Sequence, residues 1–424
     1  MNIAVVGAGR IGLPLSVAFA QRGHNVVACD INAARVDAIN RAENPIPDEA
    51  GLAEALQEVI GSGACPRPPI PAAPSLAAMS YSSPSPSMST TKGAPTSATC
   101  SLPPMMSPRV STPAPSASST PRSRSGRPGR EILPRFDAAG RTLGSDVFIA
   151  FSPERLLMGR VLEDIKKYPS VVGGLDAASG ERAAAFYAEA LGNEVLQLAS
   201  AEAAELSKLA EGVYRDLNIA LANELARVAD VHGIDINEVA RAANSQPYCH
   251  IHVPGTGVGG HCIPVYPRFL VQGEGPSDLA ALGRNVNDAM PAYAAERVEH
   301  ALGGLQGEKV VIMGLTFRPN VAVTHHTNAL DLKREFEARG AVVAGHDPLL
   351  SDEGVRSLGF EPVPELSGYD VAVVHAWHRQ YADLDLAAIA PLVLDARNAF
   401  DRDRVEKGGA RYMGIGRPLT GATG

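Results

Sequence analysis

The sequence predicts an α/β protein: two Rossmann-like doubly wound domains joined by a central helical region, with the N-terminal sheet interrupted by a Pro/Ser-rich segment. Three observations predict it. An apolar strand at residues 2–6 runs into Gly7-Ala8-Gly9-Arg10-Ile11-Gly12. Residues 200–231 repeat apolar side chains at helical spacing, at Leu206, Leu209, Val213, Leu217, Leu221 and Leu225. Short β-branched runs at 309–315, 340–347, 370–377 and 391–395 alternate with helical stretches. At 424 residues the chain accommodates two or three cores, and these patterns place boundaries at 1–195, 196–300 and 301–424.

In the first part, Gly7 and Gly9 permit a tight turn and close approach of a pyrophosphate, while Gly12 lets the following helix pack on the strand. The backbone of Arg10 and Ile11 opens that helix, whose free N–H groups suit phosphate. A second strand at 24–30 ends in Asp30, placed to accept hydrogen bonds from ribose hydroxyls. A carboxylate there repels a 2′-phosphate and favours NAD over NADP, although Arg35 nearby can offset the repulsion.

The pattern then fails. From about 64 to 133 the chain is rich in Pro, Ser, Thr and Arg, with no strand-length apolar run. Two readings stand: a disordered inserted linker, or a stretch translated out of frame. With G/C-rich codons, the neighbouring frame turns residues 79–93 into a Val/Leu-rich strand pattern, so the sequence of the gene decides.

The α/β pattern resumes at 145–151, where an apolar strand leads into Ser152-Pro153-Glu154-Arg155-Leu156. Glu154 then lies at a strand's carboxyl end, where open α/β sheets hold ligands, as a general base or a water-positioning group. The plainer alternative is a helix N-terminal glutamate stabilised by the dipole. Lys208, on the long helix, is either a solvated lysine or a group that stabilises an oxyanion. Residues 254–264 present Cys262 on a glycine-dense loop containing Gly257, Gly259 and Gly260. A thiolate nucleophile beside a nicotinamide can capture an aldehyde covalently; a buried cysteine in a tight turn is the alternative.

The net charge of −8, with acids and bases interspersed, argues against a nucleic-acid partner. Five cysteines without CxxC pairs or metal-ligand spacing suit a reducing cytoplasm and imply no metal. The N-terminal run is too short for a signal peptide, and no apolar run reaches membrane-spanning length.

Taken together, these pieces resemble the UDP-glucose / UDP-N-acetylmannosamine (nucleotide-sugar) 6-dehydrogenase family. The resemblance covers about 1–63 and 134–424. It rests on the glycine start, Ser152-Pro153-Glu154-Arg155, Glu205-Leu206-Ser207-Lys208 and Asn218 with Asn223. Its remaining pieces are the Gly257–Cys262 loop, Arg284 with Asn287, and Asp395-Ala396-Arg397-Asn398. It implies a four-electron oxidation of a UDP-hexose C6 alcohol to the uronate, with NAD as oxidant; the long helix itself suits a core between domains or a homodimer interface. Cys262 would hold the aldehyde as a thiohemiacetal and then a thioester, Glu154 would assist water, and Lys208 would stabilise oxyanions. Arg155, Leu156, Asn218, Gly257, Gly259, Gly260 and Arg318 would contact the substrate. Three departures stand out. Gly212 replaces an asparagine four residues after the lysine. Tyr266 replaces an aspartate four after the cysteine. His325, followed by His326, takes a substrate-anchoring arginine position. Two rivals remain: a two-electron dehydrogenase that needs no thiol, and a nucleotide-sugar-binding protein that has lost half its cofactor sheet.

Overall fold

A computed structural model describes residues 1–61, 128–272 and 275–419. Most of the Pro/Ser-rich segment, and with it the out-of-frame reading, lies outside them. Its last residues, Pro128–Ile132, form a helical turn that continues into the helix Leu133–Ala138. The chain gathers into two compact units, Met1–Lys208 and Leu209–Gly424, and the 31-residue helix Ala201–Val231 carries the chain from one to the other.

In the first unit, β1 (Asn2–Val6) and β2 (Asn25–Cys29) pair in parallel around the helix Gly12–Gln21. A second sheet has the order β3-β4-β5, with β3 Ala150–Phe151, β4 Ser170–Gly174 and β5 Val195–Leu198. Ile3, Val5, Leu13, Phe19, Val26, Leu52 and Leu56 share one core with Val172 and Phe186, so helix Leu52–Gly61 and helix Ala177–Leu191 pack over both sheets.

The strand expected at 145–151 shrinks to the two residues of β3, and it pairs antiparallel with β4. Asp146 is the cause. Its carboxylate accepts the Thr142 N–H at 3.2 Å, while the N–H groups of Asp146 and Val147 both return to the Thr142 carbonyl, curling 142–147 into a turn. Glu154 therefore follows an antiparallel strand, not the parallel strand end that the sequence argument used. The next helix, Val161–Lys167, begins seven residues beyond it, which also removes the helix-dipole alternative.

In the second unit, six parallel strands have the order β11-β10-β9-β6-β7-β8. They are β6 Lys309–Met313, β7 Val342–His346, β8 Glu361–Pro362, β9 Val371–Val374, β10 Leu392–Asp395 and β11 Arg411–Gly414. The expected four strands are present, and β8 and β11 extend the two edges. One face buries Ala226, Ala229, Ile236, Met290, Ala294 and Val298 against Val310, Ile312, Val371 and Leu394. The other face buries Tyr381, Leu386, Ile389, Phe400 and Val405. A sheet covered on both faces is the doubly wound arrangement, and its near-continuous Val/Ile/Leu strands follow from that burial.

The long helix corrects the sequence reading of its buried face. Leu206 and Leu221 are exposed, at 55% and 49%. The buried positions are instead small or polar: Ala201, Ala204, Asp216, Ala220, Ala222, Asn223, Ala226 and Ala229. Small side chains let neighbouring backbones come close, so Leu206 and Leu221 fall on the outer side, whereas Leu225 packs against the core and Leu217 against Gly283.

Candidate functional site

The first unit holds the glycine turn. Gly7 has φ +96°, and its N–H donates to the Cys29 carbonyl at 2.6 Å. Gly12 lies so close to the Gly7 carbonyl that no β-carbon fits, whereas Gly9 faces open space. Asp30 accepts from Ala8 N–H at 2.9 Å, Asn32 N–H at 2.8 Å and the Arg35 guanidinium at 2.9 Å. Partial burial alone would raise its carboxyl pKa, but Asn32, Arg35 and Ala8 together hold it below the usual range. A carboxylate has about four acceptor positions, so one remains for a ribose hydroxyl. These residues fit the adenosine end of NAD: an open Gly9 cradle and an ionised acceptor. Arg35 neutralises part of the charge that Asp30 would present, which narrows the discrimination against NADP.

Arg10 pairs with Asp48 at 2.6 Å, and next to it the nearly buried Glu49 accepts from Gly159 N–H at 2.7 Å and Val161 N–H at 2.5 Å. Burial raises the Glu49 carboxyl pKa, with the hydrogen bonds from Gly159 and Val161 opposing. Asp164, fully buried, accepts from Leu157 N–H at 3.0 Å. Glu154 itself takes the N–H of Leu156, and Arg155 donates to the Pro169 carbonyl at 3.3 Å. Leu156 and Ile11 pack around the same small cluster of Ala18, Val161 and Ile165. The Glu154 segment is thus seated against the glycine-turn helix. Sequence reasoning missed Glu49, because nothing local marks a carboxylate whose partners lie more than a hundred residues away.

Of the proposed catalytic residues, Glu154 and Lys208 belong to the first unit and Cys262 to the second. The partly buried free thiol of Cys262 stands at the end of the glycine loop. Its carbonyl accepts from Val265 N–H at 3.1 Å and Tyr266 N–H at 3.0 Å, opening the helix Tyr266–Val271. The loop is held residue by residue. Gly255 N–H donates to Asn223 Oδ1 at 2.9 Å, Asn223 Nδ2 to Asn287 Oδ1 at 2.9 Å, and Asn287 Nδ2 to Asp216 Oδ1 at 2.9 Å. The Arg284 guanidinium completes that buried chain on Asp216 at 2.6 Å. Gly260 has φ +95° and donates its N–H to the His325 carbonyl at 3.2 Å; a β-carbon there would stand 2.7 Å from the Phe317 ring. Gly257 and Gly259 are equally crowded, by Asn328 and by the His326 carbonyl. Glycine in this loop is therefore required by the protein's own packing, and the Gly260 N–H is already committed within the chain.

Asn218 donates Nδ2 to the Tyr214 carbonyl at 2.7 Å, one helical turn back. Arg318 lies with its guanidinium carbon 5.9 Å from the Phe317 ring centre. Its loop is braced from below: Asp347 accepts from Leu315 N–H at 2.6 Å, Thr316 N–H at 3.1 Å and His378 Nε2 at 3.1 Å, and His378 Nδ1 takes Asn320 N–H at 2.9 Å. Partial burial would raise Asp347, but His378 and the backbone donors hold it low. His325 stacks on His261 with ring centres 5.0 Å apart and meets His326 at 4.2 Å. Burial first, and mutual repulsion second, lower the pKa of all three imidazoles. The position where the resemblance expects a fixed positive charge therefore carries a ring whose charged form is disfavoured.

Two of the sequence departures turn out to be one. The Tyr266 ring lies over Gly212, 2.6 Å from where a β-carbon would stand, and Tyr266 is only 4% exposed. The tyrosine fills the space that the missing side chain leaves.

The NAD binding domain of the UDP-glucose/GDP-mannose dehydrogenase family matches residues 1–66, its central domain 202–288 and its UDP binding domain 311–402. The chain belongs to this family. A UDP-N-acetyl-D-mannosamine dehydrogenase of Methanococcus maripaludis is 30% identical over 96% of this chain and 95% of the relative. Another, from Escherichia coli, is 32% identical over 78% of this chain and 81% of its own length. Among solved structures, a UDP-D-ManNAc dehydrogenase from Pyrococcus horikoshii superposes with a TM-score of 0.77 at 25% identity, covering 98% of this chain and 99% of that one. Membership makes the chain an NAD-dependent dehydrogenase of the nucleotide-sugar class. The family's cofactor-domain match stops at residue 66, where the Pro/Ser-rich segment begins.

Proposed function

We propose that the chain oxidises the C6 alcohol of a UDP-hexose to the carboxylate in two steps, with UDP-N-acetyl-D-mannosamine the foremost candidate because the relatives carry that name. Bound NAD supplies the hydride acceptor. The chain's own residues do the rest. Cys262 Sγ bonds to the aldehyde carbon, the carbonyl oxygen takes a proton, and Lys208 stabilises the oxyanion that forms when that proton leaves. Loss of the second hydride leaves a thioester; water, oriented by Glu154, attacks it, the C–S bond breaks and the thiolate is restored. Arg318 neutralises the diphosphate, and Arg155, Leu156 and Asn218 line the sugar. The observation that carries this reading is the rigidly held glycine loop ending in a free cysteine.

NADH yield tests it. The parent should give two NADH per UDP-sugar, and Cys262→Ser should lower turnover by about 10³-fold, or ~4 kcal/mol of barrier. One NADH per sugar, unchanged by Cys262→Ser, would establish the two-electron dehydrogenase instead. A second reading, binding without turnover, is favoured by where the cofactor-domain match stops. UDP-sugar binding with no NADH at all would support it.

The same reading includes a cytoplasmic homodimer. Tyr214, Leu221 and Val228 recur every seven residues along the long helix and are 57%, 49% and 50% exposed. A stripe of that kind suits a second copy. Leu221→Glu is expected to halve the mass measured by sedimentation; an unchanged mass removes this helix from the interface. Among the described residues no helix is long and apolar enough to cross a membrane.

A further inference from the structure

His375 directly follows β9 and is buried, at 7% exposure. Its Nδ1 is 3.0 Å from the hydroxyl of Thr256, within the glycine loop. Its Nε2 is 3.3 Å from the hydroxyl of Thr327, in the segment that follows the histidine stack. Both threonines are 2% exposed. Thr327 Oγ1 also accepts from Ala329 N–H at 3.2 Å, which fixes it at the start of the helix Ala329–Ala338. A single imidazole therefore ties two facing loops to the sheet.

From that geometry we propose that His375 is a positioning residue for Cys262, acting through Thr256. The proposal rests on the reading of Cys262 as the nucleophile. Between Thr256 and Cys262 the loop is seated by the side chains of the buried Val258 and of His261, which stacks on His325. It leans on the 325–328 segment through Gly260 N–H and through glycine surfaces pressed against Asn328, the His326 carbonyl and Phe317. That leaning is productive only if the two loops keep their register, and the Thr256–His375–Thr327 bridge sets it. A neutral imidazole has one donor and one acceptor nitrogen, while each hydroxyl can take either role, so the bridge can be satisfied without a charge. Proper placement of a nucleophile is worth orders of magnitude, and a displacement of about 1 Å can cost about 10²-fold.

The test uses the full chain with Thr256→Val, His375→Leu and His375→Asn, each checked for an unchanged melting transition. Thr256→Val keeps the shape of the site and removes only the hydroxyl. His375→Asn can restore a polar contact near the Nδ1 position. Two readouts are taken: steady-state kinetics, and the rate of Cys262 alkylation by iodoacetamide followed by peptide mass spectrometry. Thr256→Val and His375→Leu should each change the alkylation rate at least fivefold and lower kcat about 10²-fold with KM for NAD within twofold. His375→Asn should recover at least a tenth of the parent kcat, and the Thr256→Val/His375→Leu double variant should be no worse than the poorer single one. Folded Thr256→Val with parental alkylation and kcat overturns the proposal. Failure of the nucleophile reading is separate, because it appears as full two-NADH turnover in Cys262→Ser. Alkylation also reports on loop geometry without any turnover.

Discussion

Asp216→Ala is expected to lower the unfolding free energy of the second unit by about 3–5 kcal/mol. Arg284 is 4% exposed and holds Asp216 at 2.6 Å and also Asp288, so deleting the buried carboxylate leaves a buried guanidinium with only the half-exposed Asp288 as its charge partner. The pair itself adds little net stability. Burial, helped by the like charge of Asp288, raises the Asp216 pKa against the lowering by Arg284 and Asn287, the mark of a costly desolvation. The loss on truncation arises from a buried guanidinium left half-compensated and from Asn287 losing its carboxylate acceptor. The damage should also spread, because Asn287, Asn223 and Gly255 N–H are joined in sequence to that carboxylate. The single tryptophan, Trp377, lies in the second unit and provides the signal for urea unfolding. Asp216→Leu combined with Arg284→Met should recover most of the loss. A single-variant loss below about 1 kcal/mol would mean that Asp288 alone compensates Arg284.

The second large effect is acid sensitivity. Burial, followed by the charge of Arg397 and then opposed by Asp347, pushes His375 down to about 3, and His378 adds a small further push downward. An unfolded histidine titrates near 6.5, so between those values the unfolded chain takes up a proton that the native site refuses. The contribution of His375 is complete above pH 6.5 and is lost as pH falls toward 3, at about 1.4 kcal/mol per unit. From pH 6.5 to 4.5 the loss is roughly 2–3 kcal/mol. Asp216, Asp230 and Asp395 have raised values and act in the opposite sense, so the comparison must be with a variant that cannot titrate. His375→Asn should flatten the Trp377-monitored stability profile over this window. Parallel profiles for parent and variant would show that His375 is protonated in the native state.

The fold was readable where local pattern and tertiary role coincide. The Gly7–Gly12 turn, β6, β7, β9 and β10 combine apolar runs with turn residues, and the structure holds them as expected. The long helix was readable in extent but not in orientation. Its apolar side chains set the periodicity, yet the closest packing selects alanines, and the sequence does not tell that Leu206 and Leu221 are left outside while Leu225 packs inward. The strand before Glu154 was overextended because β-branched composition was weighed while the Asp146 turn went unnoticed. At the site, Cys262, Asp30 and Arg318 announce themselves through their motifs. Glu49, His375 and the Asp216–Arg284 pair do not, since their meaning lies entirely in distant partners. Gly212 and Tyr266 are the clearest instance: read one at a time they are two losses, whereas in space they are one exchange.

The two hydrogen bonds of Glu49 join positions 110 and 112 residues apart, on either side of the Pro/Ser-rich stretch. Ring-closure entropy grows only with the logarithm of contour length, about 0.6 kcal/mol for each doubling. Inserting or excising dozens of residues between these clasp points therefore costs less than losing one of the bonds. The length of that span can change while the stem it hangs from stays shut.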